Sequence, residues 1–458
     1  MKGRRCFEFR IPPWRAKEWL LAGEANTIKW TILAAALIVS ACTQQHQLDD
    51  GDRVPEEADD TSAFVDTGSG TGTGEDTETE TATNGNSDGN CIGDALESPC
   101  WFDASWDYRR KITILSSQIS GTEQHRFFPV LISENSTTLR GPDHEGHVGQ
   151  SDGGDILFTA NDGTSKLDHE IEQYTPSSGQ LVSWVKIPVV SAVSDTVIYM
   201  YYGNAGDGDQ WQSSAVWDDG GIKHFRGVWH MGETGQNGRN DSTSHANHCF
   251  PEDAAKEAAV GVAGNAVGLD GKNDWIRCGR NESLNLKREI TVSAWIKPSR
   301  PRIKKDDWEN GPKKNTYGFY LFGKSDNLTT LGLEFEIDNK KKDIVDEGTI
   351  DIAPDKWSFL AMTFDGKTLS AYVNGELDYS LPIDGTIDDS SEHELTISEK
   401  EGKEGRFLSG TVDELRISDK ARDAHWLATC FNNQDNPAEF YELGDELTKE
   451  DLNAENPI

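Results

Sequence analysis

The run Trp357-Ser358-Phe359-Leu360-Ala361-Met362-Thr363-Phe364-Asp365-Gly366, with Leu369-Ser370-Ala371-Tyr372-Val373-Asn374-Gly375 close behind it, decides the fold of this chain. Apolar and polar residues alternate in both runs, which buries one face of a strand and wets the other. Phe364-Asp365-Gly366 and Val373-Asn374-Gly375 supply tight-turn residues that tolerate positive φ. Runs of the same kind stand on either side: Val228-Trp229-His230-Met231, Gly264 to Ile276, Ile290 to Pro298 and Gly410 to Ser418. Trp295 and Trp357 fall at apolar-phase positions and are expected in the core. A two-sheet jelly roll accounts for this spacing.

Composition agrees with a β protein in several parts. The 458 residues include 44 Gly and 14 Trp but only 4 Met, and the length exceeds one ordinary domain. With 79 acidic against 44 basic side chains the formal charge is -35 and the pI about 4.6. Such a surface repels a polyphosphate, so nucleic acid is excluded as a partner.

Residues 1–29 carry a net +4, and the apolar run Trp30 to Val39 follows directly. About ten apolar residues suit the core of a signal peptide but not a mature bilayer span, which needs roughly twenty. Val39-Ser40-Ala41-Cys42 resembles the bacterial lipobox, which implies residues 1–41 as a lipoprotein signal peptide and Cys42 as the lipidated N-terminus. Thr43, where retention in the inner membrane usually shows Asp, points by the same resemblance to the outer membrane. Residues 42–90 read as a disordered Gly/Thr/Ser-rich linker, with thirteen acids against Arg53. Its charge of -12 stretches it into a spacer and leaves -27 on residues 91–458.

Export permits disulfides. Cys91 and Cys100 enclose a short loop and are expected to pair; among the remaining three, Cys249 with Cys278 is favoured, leaving Cys430 free. From Cys91 to about Gly220, short β-branched and aromatic runs such as Phe128 to Ile132, Leu181 to Ile187 and Asp195 to Asn204 predict a compact antiparallel sandwich with no helix of useful length.

Two resemblances follow from these residues. Trp106-Asp107-Tyr108-Arg109, Asp155-Ile156-Leu157-Phe158-Thr159 with Asp162-Gly163-Thr164, and Ile198-Tyr199-Met200-Tyr201-Tyr202-Gly203-Asn204 resemble a bacterial domain of unknown function. The later runs, in their order, resemble the laminin-G-like, concanavalin A-like jelly roll of bacterial surface proteins. The chain thus reads as all-β, with an antiparallel β-sandwich over 91–222, a jelly roll over 223–445 and a tail over 446–458. The jelly-roll resemblance implies carbohydrate, matrix or cell-surface ligands and calcium. Asp241, Ser242 and Asn247 match its Asp-Ser-x-Gly-Asn-x-Asn segment, though Thr243, Ser244 and His245 depart from it. Asp241 and Asn247, joined by Asp413, could supply part of the six to eight oxygens calcium takes. The alternative role for these three is turn formation and strand-end hydrogen bonding.

Catalysis was weighed on Glu334-Phe335-Glu336-Ile337-Asp338, whose carboxylates share one strand face. This looks like half of a laminarinase-type signature, without the second Glu. Lys340 to Lys342 hold nearby carboxylates ionised, the wrong direction for a general acid, so a solvated charged face is expected. His245, His248 and Cys249 lack a further ligand at metal spacing and read as loop residues. Aromatics near loops, Trp275, Trp308 and Tyr317 with Phe319, are the sugar-stacking candidates. The expected function is a non-enzymatic, lipid-anchored surface protein that binds a glycan or a cell-surface or matrix protein. An envelope scaffold without a soluble ligand is the alternative, and a glycoside hydrolase comes third.

Overall fold

The computed structural model describes residues 100–235, 237–252, 258–300, 303–344, 347–399 and 405–451. The expected signal peptide and linker, with Cys42 and Cys91, lie outside these residues. The described residues belong to one compact unit.

The first sandwich is built from β1 (Tyr108–Ile114), β2 (Gln124–Asn135), β3 (Leu157–Ala160), β4 (Lys166–Leu167), β5 (His169–Thr175), β6 (Gln180–Ser191) and β7 (Thr196–Tyr202). A one-turn helix, α1 (Ser213–Val216), follows. The second is built from β8 (Phe225–Trp229), β9 (Phe250–Glu252), β10 (Ala258–Val260), β11 (Asn265–Asp270), β12 (Trp275–Arg277), β13 (Ile290–Pro298) and β14 (Trp308–Lys314). It continues through β15 (Tyr317–Ser325), β16 (Leu328–Ile337), β17 (Lys340–Ile344), β18 (Ser358–Phe364), β19 (Thr368–Val373), β20 (Glu376–Pro382), β21 (Leu395–Ile397) and β22 (Ser409–Ser418). Then come α2 (Ala424–Asp435), α3 (Pro437–Phe440) and a last strand, β23 (Tyr441–Thr448).

In the jelly roll one sheet runs β10-β11-β22-β13-β18-β19-β20, with β8 also on β22, and the other runs β17-β16-β15-β14-β21-β12-β9. The hairpin between β19 and β20 turns on Asn374 (φ 52°) and Gly375 (φ 78°), the pair of positive φ values that matches strand twist. Leu360, Met362 and Phe364 of β18 meet Leu321, Leu333 and Phe335 in an interior lined by apolar side chains. A disulfide joins Cys249 to Cys278, and Cys430 is free and buried, as the sequence leads one to expect. Cys100 is also disulfide-bonded.

The opposite, polar face of β13, β18 and β22 is not wet. Trp295, Phe359, Ala361 and Tyr372 of that face pack with Phe128, Ile132 and Val185 of the first sandwich and with Trp426, Leu427 and Cys430 of α2. Thr291, Ser293, Thr363, Arg416 and Ser418 are buried with them. Trp295 is therefore a core residue of the seam rather than of the jelly-roll interior, and its indole N–H donates to Gln434 Oε1 at 2.8 Å. α2 starts at Asp423, whose carboxylate accepts the Trp426 N–H. It carries Asn433, whose amide bonds both N–H and C=O of Leu131 in β2.

The C-terminal segment departs most from the expected boundaries. β23 pairs antiparallel with β1, so the first sandwich's larger sheet runs β23-β1-β7-β3-β4 against β2-β6-β5. Residues assigned by sequence to the end of the jelly roll and to a tail instead complete the first sandwich. Among the described residues no helix is long and apolar enough to cross a membrane.

Candidate functional site

The seam also carries a charged cluster, and irregularities in three strands create it. The same edge of β22 is taken by β11 along Ser409–Val412 and by β8 along Leu415–Ser418. At the changeover Asp413 accepts N–H groups from Val262, Ala263 and Glu414. On the other edge the register with β13 slips, Ser293 facing Arg416 and Trp295 facing Asp413. Glu414 sits in this bulge at φ 50°, an arrangement that re-aims a side chain. A second bulge, between Ile171 and Gln173 of β5, holds Glu172. His230 directly follows β8, and Met231 behind it turns at φ 63°.

These three points converge. His230 Nδ1 lies 2.5 Å from Glu414 Oε1 and 3.5 Å from Glu172 Oε2, and its Nε2 lies 3.3 Å from Glu170 Oε2. Arg416 donates to Glu414 Oε2 at 2.6 Å and lies over the Trp184 and Trp217 rings. Glu170 accepts from Trp217 Nε1 at 2.8 Å and from Ser242 Oγ at 2.7 Å, and Glu172 Oε2 accepts from Trp184 Nε1 at 2.9 Å. Glu172 Oε1 is buried and has no partner.

Four carboxyl groups and two cationic side chains in one buried place cannot all keep ordinary proton affinities. Burial pushes Glu172 well above the usual carboxylate range, and the Glu414 and Asp413 charges push the same way. Asp413 is raised by burial and by Glu414. For Glu170 and Glu414 burial acts upward too, but His230 outweighs it, helped at Glu414 by Arg416, and both are held below the usual range. His230 is raised well above an ordinary imidazole because Glu414, Glu172 and Glu170 outweigh its burial. Neutral Glu172 and Asp413, charged Glu170 and Glu414, and cationic His230 and Arg416 together balance to zero, the cheapest way to keep such a set in low dielectric.

The cluster forms one wall of a cleft of about 670 Å³ between the two sandwiches. Its lining includes Glu170, Gln173 and Trp211 from the first sandwich and His230, Glu233, Asn240, Ser242 and Asn265 from the second. Trp211 is half-buried, and its indole N–H has no partner. A half-exposed indole beside amides, hydroxyls and carboxylates offers a stacking face with hydrogen-bonding groups around it.

Of the residues singled out in the sequence, Asp413 belongs to the cluster and Asp241, Ser242 and Thr243 line the cleft, while the others lie elsewhere. Asp241 accepts from the N–H groups of Val228, Thr243 and Asn247 and from Thr243 Oγ1. Asn247 donates to Arg226 O and Ser283 Oγ, leaving its Oδ1 without a partner. Asp413 serves the 262–263 backbone, so the two carboxylates share no hydrogen-bond partner, and both act as turn or strand-end hydrogen bonders. Tyr317 is fully buried in β15 and donates to Leu284 O at 2.8 Å, so it cannot stack on a sugar, and Phe319 beside it is buried too. Trp308 is half-buried under the Arg406 guanidinium, beside a cavity of about 330 Å³, and Trp275 is half-buried in β12. Trp308 to Lys314, beside these aromatics, form strand β14, and Lys313 and Lys314 are buried. Lys313 pairs with Glu334, which is buried rather than solvated, and Asp338 lies past the end of β16 at φ 50°. The three carboxylates of that run therefore sit in three different surroundings.

The sequence places His230 and Glu414 in strand runs but marks neither of them, nor Glu170, with a role. The available signal was charge inside apolar strands: His230 at the end of Val228-Trp229, and Glu414 and Arg416 alternating with Leu415 and Ile417.

The fold is that of a concanavalin A-like sandwich joined to a second β-sandwich. The chain carries a domain of unknown function (DUF2341), matched over residues 152–225, followed by a domain of the concanavalin A-like lectin/glucanases superfamily, matched over residues 270–428. Glu170 and Glu172 belong to the first match and Glu414 to the second, while His230 lies between them. Solved structures with similar folds include the binding domain of Paraclostridial Mosquitocidal Protein 1, at 17% identity over 45% of this chain and 52% of that one, TM-score 0.36. Another is domain 4 of AbnA, an extracellular arabinanase from Geobacillus stearothermophilus, in complex with arabinotriose, at 20% identity over 44% and 96%, TM-score 0.35. A third is the botulinum neurotoxin serotype D binding domain, at 13% identity over 46% and 52%, TM-score 0.35. The match spans about half the length of the two toxin chains. At these identities the likeness concerns the fold alone. No curated protein matches the chain.

Proposed function

We propose that this chain is a non-catalytic surface lipoprotein that binds a carbohydrate in the cleft between its two sandwiches. The observation that carries the reading is the cleft itself. It is open and about 670 Å³ in volume, and it sets the half-buried Trp211 ring next to amide, hydroxyl and carboxylate groups. A sugar presents an apolar face and a ring of hydroxyls, and that combination of wall groups suits both. The concanavalin A-like domain supports ligand binding at the level of fold. The partner is thus a glycan, free or borne by a surface protein.

Val39-Ser40-Ala41-Cys42 supports a lipid anchor at Cys42, the acidic stretch after it a spacer, and Thr43 delivery to the outer membrane. Radiolabelled palmitate is expected on the wild-type chain and not on Cys42→Ala, and membrane fractionation tests the destination. A glycan array probed with the chain from residue 43 onward tests the ligand. Binding that is lost in Trp211→Ala and kept in Trp308→Ala is expected. Failure to bind any glycan or envelope extract favours the scaffold role. Hydrolysis of a bound polysaccharide would overturn the non-catalytic reading.

A further inference from the structure

We infer that Glu172, His230 and Glu414 form a site for a single divalent transition-metal ion, of the zinc type, where the two sandwiches meet. The inference stands apart from the carbohydrate reading. One oxygen from each carboxylate and one imidazole nitrogen lie within 4.8 Å of one another, from three strands whose bulges and turn direct them to one point. The independent sign of a ligand is Glu172: its side chain is 6% exposed, yet Oε1 has no hydrogen-bond partner. A buried carboxylate oxygen without a donor is costly unless something else meets it. Gly264, at φ 59°, keeps the space before that oxygen open, since a Cβ there would come within 2.5 Å of it.

Each ligand is also held from behind. His230 Nδ1 would exchange its 2.5 Å contact with Glu414 Oε1 for the ion while Nε2 stays on Glu170 Oε2, the carboxylate–histidine arrangement that fixes ring orientation at metal sites. Trp184 Nε1 holds Glu172 Oε2, and Arg416 holds Glu414 Oε2. An imidazole with two carboxylates suits zinc or manganese better than calcium, which prefers an all-oxygen shell of higher number. The cleft gives an access path, because Glu172 and His230 both line it.

Zinc, manganese and calcium titrated separately into the EDTA-treated full chain test the site by calorimetry. One zinc ion per chain is expected, with up to two protons released and affinity rising about tenfold or more from pH 6 to pH 7. X-ray absorption at the zinc edge should show an imidazole and oxygen shell without sulfur. Glu172→Gln should weaken binding at least about 100-fold, and Glu170→Gln about 10- to 100-fold through loss of His230 positioning. No bound ion in any of the three titrations overturns the site. So does zinc binding unchanged in both Glu172→Gln and His230→Gln, or an absorption spectrum with sulfur or without imidazole.

Discussion

The jelly-roll interior and the seam between the sandwiches are both out of water, yet they are built on opposite terms. The interior is filled by one residue type of each alternating pair, as at Leu360, Met362 and Phe364. The seam takes the other member of each pair, so it buries Thr291, Ser293, Thr363 and Arg416 next to Trp295 and Phe359. A sheet that looks amphipathic in sequence is thus sandwiched on both sides. Its polar residues are used for hydrogen bonds to the segment that joins β22 to α2: Thr291 Oγ1 donates to Lys420 O, and the N–H of Arg422 donates to Thr291 Oγ1.

Truncation separates the two regions most sharply. Trp295→Ala should cost about 3–5 kcal/mol in chemical denaturation and Leu360→Ala about 2–5 kcal/mol. If the seam is a true second core, the Trp295 variant should unfold both sandwiches together; a variant in which only one sandwich loosens would break the comparison. Glu414→Gln leaves His230 and Arg416 buried without their shared anion and should cost about 3–5 kcal/mol. A value near zero would mean the cluster reorganises as freely as a surface patch.

Removing the Cys249–Cys278 disulfide should cost about 2–4 kcal/mol, read as a lower denaturation midpoint, because it frees the chain across a sequence separation of 29 residues. This effect belongs to the jelly roll and should add to that of Glu414→Gln if the regions are independent.

The pH response sharpens the contrast further. Groups with raised affinity, His230, Glu172 and Asp413, stabilise fully below their unfolded values of about 6.5 and about 4, and that contribution is lost as pH climbs through their folded values. Glu170 and Glu414 are lowered, so their contribution is present above about pH 4.5 and lost on acidification through their folded values. In EDTA the melting temperature should therefore fall on the alkaline side of pH 6.5, and His230→Gln should flatten that fall. Trp308→Ala, at a half-buried surface position, should shift stability by no more than about 0.5 kcal/mol and leave glycan binding intact.

The interior was readable in the sequence because period-2 alternation reports burial on one face, and Asn374-Gly375 reports its hairpin. The seam was not. Nothing local distinguishes a polar face that meets water from one that meets α2, and nothing in Tyr441 to Thr448 announces β1 as its partner. The cluster failed for a related reason: bulges at Glu172 and Glu414 depend on register with distant strands, so periodicity placed neither side chain. The resemblance reaches further, to Asp241, Asn247 and Asp413, but the carboxylate oxygens of Asp241 and Asp413 serve the chain's own amides.

β23 has a consequence for biogenesis. Arg110 of β1 donates to Gly444 O, a bond 334 residues long in sequence. A chain made from its N-terminus presents β1 with a bare edge until almost everything else has emerged. Closure over such a distance is slow, and an open edge invites pairing with other chains meanwhile. Holding factors, rather than the intrinsic speed of folding, would then set the yield of finished molecules.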